Sequence, residues 1–179
     1  TTTIHGGATA IVNGTLRAPN TIVDGRLSGA GLIDGNLTNN GWVAPGNSPG
    51  TLTVSGNYTQ TKGGTLEIEV KSAKVHDVLA VGKTAKLGGT LDVRNYGGHK
   101  YKFGDVTPGI ITAQKFQGSF DKVLMPQSGF RGRVFQQGRN LNIVAAPVSY
   151  TQVANNANER SVARALDNWI ELSPVMSVR

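Results

Sequence analysis

The chain has 179 residues, among them 24 glycines and no cysteine, and its formal net charge is +7. Glycine has close to twice its usual share and aromatic residues make up only 6%, which excludes a broad helical bundle and favours tight turns around a narrow core. The basic residues are scattered along the chain and do not form a stripe with stacking aromatic residues. We therefore expect no nucleic-acid partner.

Short internal sequence repeats (echoes) dominate the first half of the chain. Residues 11–16 carry two apolar residues, Asn or Asp, Gly, any residue and Leu, and the pattern returns at residues 22–27 and 32–37. A longer echo at residues 63–70 returns at residues 88–93 after 25 positions. Short strands separated by glycine or asparagine turns at such intervals are typical of solenoids.

Alternation within the longer echo predicts how these strands bury their apolar residues. Leu66, Ile68 and Val70 are expected to face inward, with the glutamates between them facing water. One coil cannot bury its inward row alone, whereas stacked coils form continuous apolar ladders. The predicted fold is all-β, a right-handed parallel β-helix of about six coils over residues 4–144, with coils of roughly 20–25 residues. A β-sandwich is the weaker alternative.

A distinctive corner lies between the echoes, where residues 41–54 read GWVAPGNSPGTLTV. Two X-Pro breaks and three glycines fix the backbone there and lead into a strand. Trp42, Pro45 and Gly46 are candidate structural residues of this corner. The Trp42 ring is interpreted as covering the Pro45 corner or filling a wide coil, and the alternative is a surface platform that stacks on a sugar or a partner protein.

Aromatic residues are concentrated after the second echo. Seven of the nine Phe and Tyr residues lie between positions 96 and 135, and large side chains at one end of a small-residue solenoid indicate a cap over the terminal coil. Residues 137–144 are predicted to form a last hairpin strand. The candidate residues of the folding cap are Tyr101, Phe103, Phe116, Gly118, Phe120 and Phe135. Of these, Tyr101, Phe103, Phe116 and Phe120 are expected to lie in its core.

The last part of the chain is predicted to be helical. Asn156 and Glu159 have the spacing of a capping box, and Pro174 ends the helix. Its apolar face consists of Val162, Leu166, Trp169 and Ile170. Two placements remain open: the helix packs on the cap, or it is a linker whose apolar face meets a partner outside the chain.

Several of these segments resemble, in order, phrases of the C-terminal part of bacterial autotransporter passenger domains, the exported part of type V secretion proteins. Residues 41–93 carry the APGNSPGTL phrase and the later DVLAVGKTAKLGGTLDV phrase. Residues 101–121 are similar to the phrase that ends in GSFD, and residues 155–166 resemble the helix between passenger and membrane barrel. Together these phrases cover more than two thirds of the chain.

The resemblance implies three regions: β-helix stem coils at 1–95, a capping or autochaperone region at 96–146, and a helical linker at 147–179. The expected partners are the upstream passenger β-helix and a C-terminal outer-membrane β-barrel, both of the same polypeptide, with the barrel encoded beyond Arg179. In this family the cap nucleates folding of the upstream passenger during secretion across the outer membrane. The expected location is the bacterial cell surface, where such proteins serve virulence and adhesion.

No catalytic residue, metal site or cofactor is expected. His5, His76 and His99 are dispersed without a partner at metal-ligand spacing, and the neighbours His76 and Asp77 are expected to point to opposite faces of a strand. A polysaccharide-cleaving β-helix enzyme would need a groove of carboxylates and basic residues. The alternative function is a direct adhesin or self-association module that binds host glycan or protein through an exposed Asn, Thr or aromatic ladder.

Overall fold

A computed structural model describes residues 1–171 and 176–177 of the protein. The chain is mostly β, with 55% of its residues in strands and 9% in helices. The described strands form two curled sheets, one of twelve strands and one of seven, and a short helix follows near the C-terminus. The prediction of a β-rich chain with a short terminal helix is therefore confirmed.

The strands in chain order are β1 (Thr2–Ile4), β2 (Thr9–Ile11), β3 (Thr15–Val23), β4 (Arg26–Gly29), β5 (Leu32–Asn39), β6 (Trp42–Pro45), β7 (Thr51–Val54), β8 (Tyr58–Gln60), β9 (Thr65–Ser72), β10 (Val75–His76), β11 (Val78–Val81), β12 (Thr84–Leu87), β13 (Thr90–Asn95), β14 (Val106–Thr112), β15 (Lys115–Gly118), β16 (Lys122–Leu124), β17 (Phe130–Gln137), β18 (Asn140–Pro147) and β19 (Met176–Ser177). A 3-10 helix covers Tyr150–Gln152, and helix α1 covers Ala157–Glu171.

Most strands pair in parallel with strands far away in the sequence. In the smaller sheet one parallel row runs β2–β4–β6–β9–β13–β16. In the larger sheet β5 pairs with β7 through its first half and with β8 through its second half. Two further parallel rows start there, β7–β11–β14 and β8–β12–β15. The chain passes through these three rows in turn.

The two kinds of sequence echo have different structural meanings. Leu66 and Leu91, at equivalent positions of the longer echo, are directly paired on β9 and β13. That echo therefore marks one full passage through the three rows. In the shorter echo, Asn13 and Asp24 lie at turns between strands, and Asp34 lies within β5, just before its second half. The shorter echo thus marks successive changes of row.

A narrow apolar core lies between the rows. Leu66, Ile68 and Val70 are fully buried, as predicted, and the glutamates between them are half-buried on the outer side. Val43 on β6 and Leu91 on β13 flank Leu66 in register, and both are buried. Each fully buried aliphatic side chain of this kind contributes about 1.5–3 kcal/mol, so these in-register columns are the main source of stability.

The pairing changes direction at β14. This strand is parallel to β11 on one side and antiparallel to β18 on the other, and β18 forms an antiparallel hairpin with β17. The predicted last hairpin strand is present, although it begins at Asn140, because the hairpin turn occupies the residues around Gly138. Strands β15 and β16 still pair in parallel with β12 and β13, so the parallel rows extend to Leu124, and the short strand β19 later pairs in parallel with β17.

Helix α1 begins with the predicted capping interaction. The side-chain oxygen of Asn156 accepts a hydrogen bond from the backbone N–H of Glu159 at 2.9 Å, and its amide donates to the Glu159 carboxylate at 2.7 Å. Asp167 accepts hydrogen bonds from the Ser149 hydroxyl and the Tyr150 backbone N–H, which lower the pKa of this carboxyl group. These bonds attach the helix to the 3-10 helix.

The predicted apolar face of α1 is largely exposed. Val162 and Trp169 are 61% and 55% exposed, and among helix residues 157–169 Ala163 is the buried one. The Ile170 side chain and Pro174, which were expected to complete and end the helix, lie outside the described residues. Within the described part of the chain, no helix has the length and apolar character needed to cross a membrane.

Candidate functional site

The aromatic residues after β13 form a cluster against the end of the core. Tyr101 is buried, and its ring meets His99 edge-on with 4.5 Å between centroids. The ring centroid of Phe130 lies 6.4 Å from that of Tyr101 and 4.6 Å from that of Phe103. The side chain of Gln127 accepts a hydrogen bond from the Tyr101 backbone N–H at 3.0 Å. Burial raises the pKa of Tyr101 to about 12, so the phenol stays neutral within this cluster.

The four aromatic residues expected in the core of the cap differ in burial. Tyr101 and Phe120 belong to the buried core, and Phe116 is half-buried against it. The expectation is wrong for Phe103, which is 47% exposed because it packs against Phe130, a residue that is itself only partly buried. Phe135 is half-buried on β17.

The turn between β15 and β16 is tied to the preceding passage of the chain. Gly118 has a φ of +68°, and a Cβ there would lie 2.6 Å from the carbonyl oxygen of Leu87, so only glycine fits. Asp121 accepts a hydrogen bond from the Gly89 N–H through its carboxylate at 2.8 Å and donates its own N–H to the Gly89 carbonyl at 2.7 Å. Sequence reasoning missed Asp121.

The proline-glycine corner closes around a buried carboxylate. Pro45 is buried, and Gly46, with φ of +95°, lies so close to Asp77 that a Cβ would be 2.3 Å from its Oδ1. Asp77 accepts hydrogen bonds from the backbone N–H groups of Gly50 at 2.8 Å and Glu69 at 2.9 Å. Asp77 thereby joins the corner to strand β9.

Burial raises the pKa of Asp77 to about 6, although its two backbone hydrogen bonds act in the opposite direction. His76 is half-buried, and its Nδ1 lies 2.8 Å from the carbonyl oxygen of Asp77. The local sequence gives no indication of this burial.

Trp42 lies on the outer side of β6. Its indole N–H donates to Glu67 Oε2 at 3.1 Å, and the other Glu67 oxygen accepts from Arg26 at 3.2 Å. The Arg26 guanidinium carbon is 5.5 Å from the centre of the indole ring. The interpretation of Trp42 as a filler of a wide coil is wrong, because the next residue, Val43, takes the fully buried inward position.

A polar network inside the core also escaped sequence reasoning. Fully buried Tyr58 accepts a hydrogen bond from the Asn39 amide at 3.1 Å and donates to the Gln60 side chain at 2.6 Å. The Gln60 amide donates to the carbonyl oxygens of Gly64 and Thr90. Burial raises the pKa of Tyr58 above its usual range. These side chains fix the register of the paired strands β5 and β8 and connect β8 to the smaller sheet at Gly64 and Thr90, because a slip would leave buried polar groups without partners.

No group of three or more His, Cys, Asp or Glu residues in the described part of the chain is arranged to hold a metal ion. Comparison with protein-family models and with curated protein sequences finds no match to this chain.

Proposed function

We propose that this chain is the C-terminal part of a bacterial autotransporter passenger, and that it caps a right-handed parallel β-helix and nucleates folding of the passenger coils before it. In this proposal the protein is not an enzyme. It acts at the bacterial cell surface and is anchored through an outer-membrane β-barrel of the same polypeptide.

The three parallel rows support the β-helix. One passage through the rows adds 16 residues between the paired Arg26 and Trp42, 25 between Leu66 and Leu91, and 32 between Leu91 and Val123. A β-helix accommodates such variation in its turns while its strands keep their spacing. Passages therefore become longer toward the C-terminus, where the aromatic residues lie.

The observation that best supports the capping role is the change from parallel to antiparallel pairing at β14. An open strand edge can accept a further strand. The β17–β18 hairpin pairs with the edge of β14 in antiparallel orientation, and the two-residue strand β19 pairs with the outer strand β17 of this hairpin. Ile110, Ile111, Leu141 and Ile143 are buried there and continue the core across the change. The hairpin thus protects both the apolar core and one edge of the sheet.

The opposite end supports a role as a folding template. Among the described residues, β1 pairs only with β3, and β2 only with β4. Ala10 on β2 takes the inward position paired with Leu27, yet it is only partly buried, whereas Leu27 is fully buried. A preceding coil could pair with these free edges in the same parallel manner, and it would cover the inward apolar residues at this end as it did so. Folding would proceed from the capped end toward the free end without ATP.

The experiment compares Phe120→Ser with Phe103→Ser in the full-length parent protein. Phe120 is buried in the core, whereas Phe103 is about half-exposed in the same cap, so the pair separates loss of the cap from loss of an aromatic side chain. We expect Phe120→Ser to reduce protease-resistant passenger at the cell surface at least several-fold while the barrel still assembles. Equal display of the two variants would contradict the proposal.

Refolding of the 179-residue chain tests the order of folding directly. Phe120→Ala in the cap should mainly slow folding, with a φ-value of about 0.5–0.8, and Leu27→Ala near the other end should mainly speed unfolding, with a φ-value of about 0–0.3. Both side chains are buried. The reverse order would show that folding starts at the N-terminal end and would remove the nucleation role.

A further inference from the structure

A shallow depression of about 420 Å³ lies beside Trp42 on the outer surface. Four glycines and the side chains of Thr9, Asp24, Arg26, Trp42 and Thr65 line it. It crosses four successive turns at the edge of the β2–β4–β6–β9 row, so it runs along the stack for roughly 14 Å at the usual spacing of paired strands. An extended ligand of a few units fits this shape better than a compact one.

Two of the turns that line this groove require glycine. A Cβ at Gly25 would lie 2.3 Å from the carbonyl oxygens of His5 and Ala8, and a Cβ at Gly41 would lie 2.3 Å from the carbonyl oxygen of Gly25. No side chain can be accommodated at these two turns without a backbone shift. The wall of the groove is therefore backbone, and Trp42 is the only aromatic side chain that lines it.

The Trp42 ring is held in place before any ligand arrives. Glu67 binds the indole N–H and the Arg26 guanidinium at the same time, and the Arg26 guanidinium lies over one face of the indole ring. A ligand would therefore stack on the opposite face of the ring. A rigid ring loses little conformational freedom on binding, which favours affinity. The apolar C–H face of a sugar ring is a suitable partner for such an indole.

The charges favour a neutral ligand. Arg26 is neutralised by its ion pair with Glu67 at 3.2 Å. The remaining charge in the groove is that of Asp24, an exposed carboxylate that accepts a hydrogen bond from the Asn40 amide at 2.8 Å. A carboxylate accepts hydrogen bonds from hydroxyl groups and repels anions.

We propose that the groove is a binding site for a neutral oligosaccharide, with Trp42 stacking on one sugar ring and Asp24 accepting hydrogen bonds from its hydroxyl groups. The site lies on the parallel strands, away from the C-terminal hairpin. It therefore stands whether or not the cap nucleates folding.

The test uses tryptophan fluorescence of the 179-residue chain. Trp169→Phe removes the second tryptophan, which lies in α1, and leaves Trp42 as the sole reporter. The probes are cellohexaose, maltohexaose, laminarihexaose and chitohexaose, with heparin as the anionic comparison. We expect a saturable change in Trp42 emission with at least one of the neutral probes. No change with any of the four up to millimolar concentration would overturn the proposal, as would binding of heparin alone.

Variants then locate the bound sugar, with calorimetry as the readout for those that lack Trp42. Trp42→Ala should weaken binding about tenfold or more, which corresponds to about 1.4 kcal/mol or more. Asp24→Ala changes an exposed side chain and should fold normally, so it provides a second measure, with an expected loss of several-fold. The control Thr53→Ala, on another row, should bind as the parent does. Binding that survives both Trp42→Ala and Asp24→Ala would overturn the proposal.

Discussion

The two ends of the β-structure differ in how their strand edges are treated. At the N-terminal end, β1 and β2 each have one described partner and are parallel to it. At the C-terminal end, β14 passes from a parallel partner to an antiparallel hairpin. The first arrangement leaves edges at which further parallel strands can pair. The second ends the β14 row in a hairpin whose outer strand, β17, pairs with the two-residue strand β19. The difference gives the stack a direction, which is the basis of the proposed folding role.

The parallel rows and the C-terminal end are also stabilised by different side chains. Along the parallel rows, the Asn36 amide donates to Asn20 Oδ1 at 3.2 Å, Asn36 Oδ1 accepts the Asn57 N–H at 2.9 Å, and Asn57 Oδ1 accepts the Thr84 N–H at 3.1 Å. These bonds connect stacked turns. At the C-terminal end, packing of Tyr101, Phe103 and Phe130 takes over. Polar turn contacts suit short repeated passages, whereas aromatic packing fills the wider end of the structure.

The largest effect should come from cavities in the parallel stack. Leu66→Ala should lower the free energy of unfolding by about 4 kcal/mol, because buried neighbours surround it on both adjacent strands. Leu141→Ala, in the terminal hairpin, should lower it by about 2 kcal/mol, because Leu141 has buried Ile111 on one adjacent strand but half-buried Gln136 on the other. Urea denaturation measures both, and the control Leu124→Ala, 43% exposed, should change stability by roughly 0.5 kcal/mol or less. Equal losses of unfolding free energy at Leu66 and Leu141 would show that the parallel strands do not contribute more stability than the terminal hairpin.

Glycine substitutions should also distinguish the stacked turns of the parallel rows from the turn of the terminal hairpin. Gly25→Ala should cost about 1–3 kcal/mol or more, because its Cβ would meet carbonyl oxygens of the neighbouring turn. Gly138 in the hairpin turn has a φ of +60° and open space around it, so Gly138→Ala should cost about 1 kcal/mol.

Asparagine separates these two causes, because it tolerates positive φ but still carries a Cβ. We expect Gly138→Asn to be nearly neutral and Gly25→Asn to be as harmful as Gly25→Ala, as measured by thermal unfolding. A harmless Gly25→Asn would show that stacking of turns does not require glycine there.

A pH dependence of stability should come from Asp77. Its pKa is raised from 3.8 to about 6 by burial, so the folded chain binds this proton more tightly than the unfolded chain. The contribution of Asp77 to stability should therefore fall as pH rises from about 4 to about 6 and level off above that. Urea midpoints across this range measure the slope. Asp77→Asn should reduce the slope, whereas Asp34→Asn, a substitution of an exposed carboxylate, should not.

Several features could be predicted from local sequence. The alternation of Leu66, Ile68 and Val70 and the capping pair Asn156 and Glu159 depend on neighbours within a few positions, and both are confirmed. Phe103 was misassigned to the core, because composition locates an aromatic cluster but does not indicate which ring lies on its outside.

The sequence by itself determined the β-rich class, the short terminal helix and the positions of many turns, because side-chain alternation and turn chemistry act over a few residues. Only the tertiary structure decided that Asp77 is buried against the corner at Gly46 and Gly50, and that Trp42 lies outside beside Arg26 and Glu67. Those contacts join separate passages of the chain. Since a passage varies from 16 to 32 residues, no fixed spacing in the sequence reveals which residues meet.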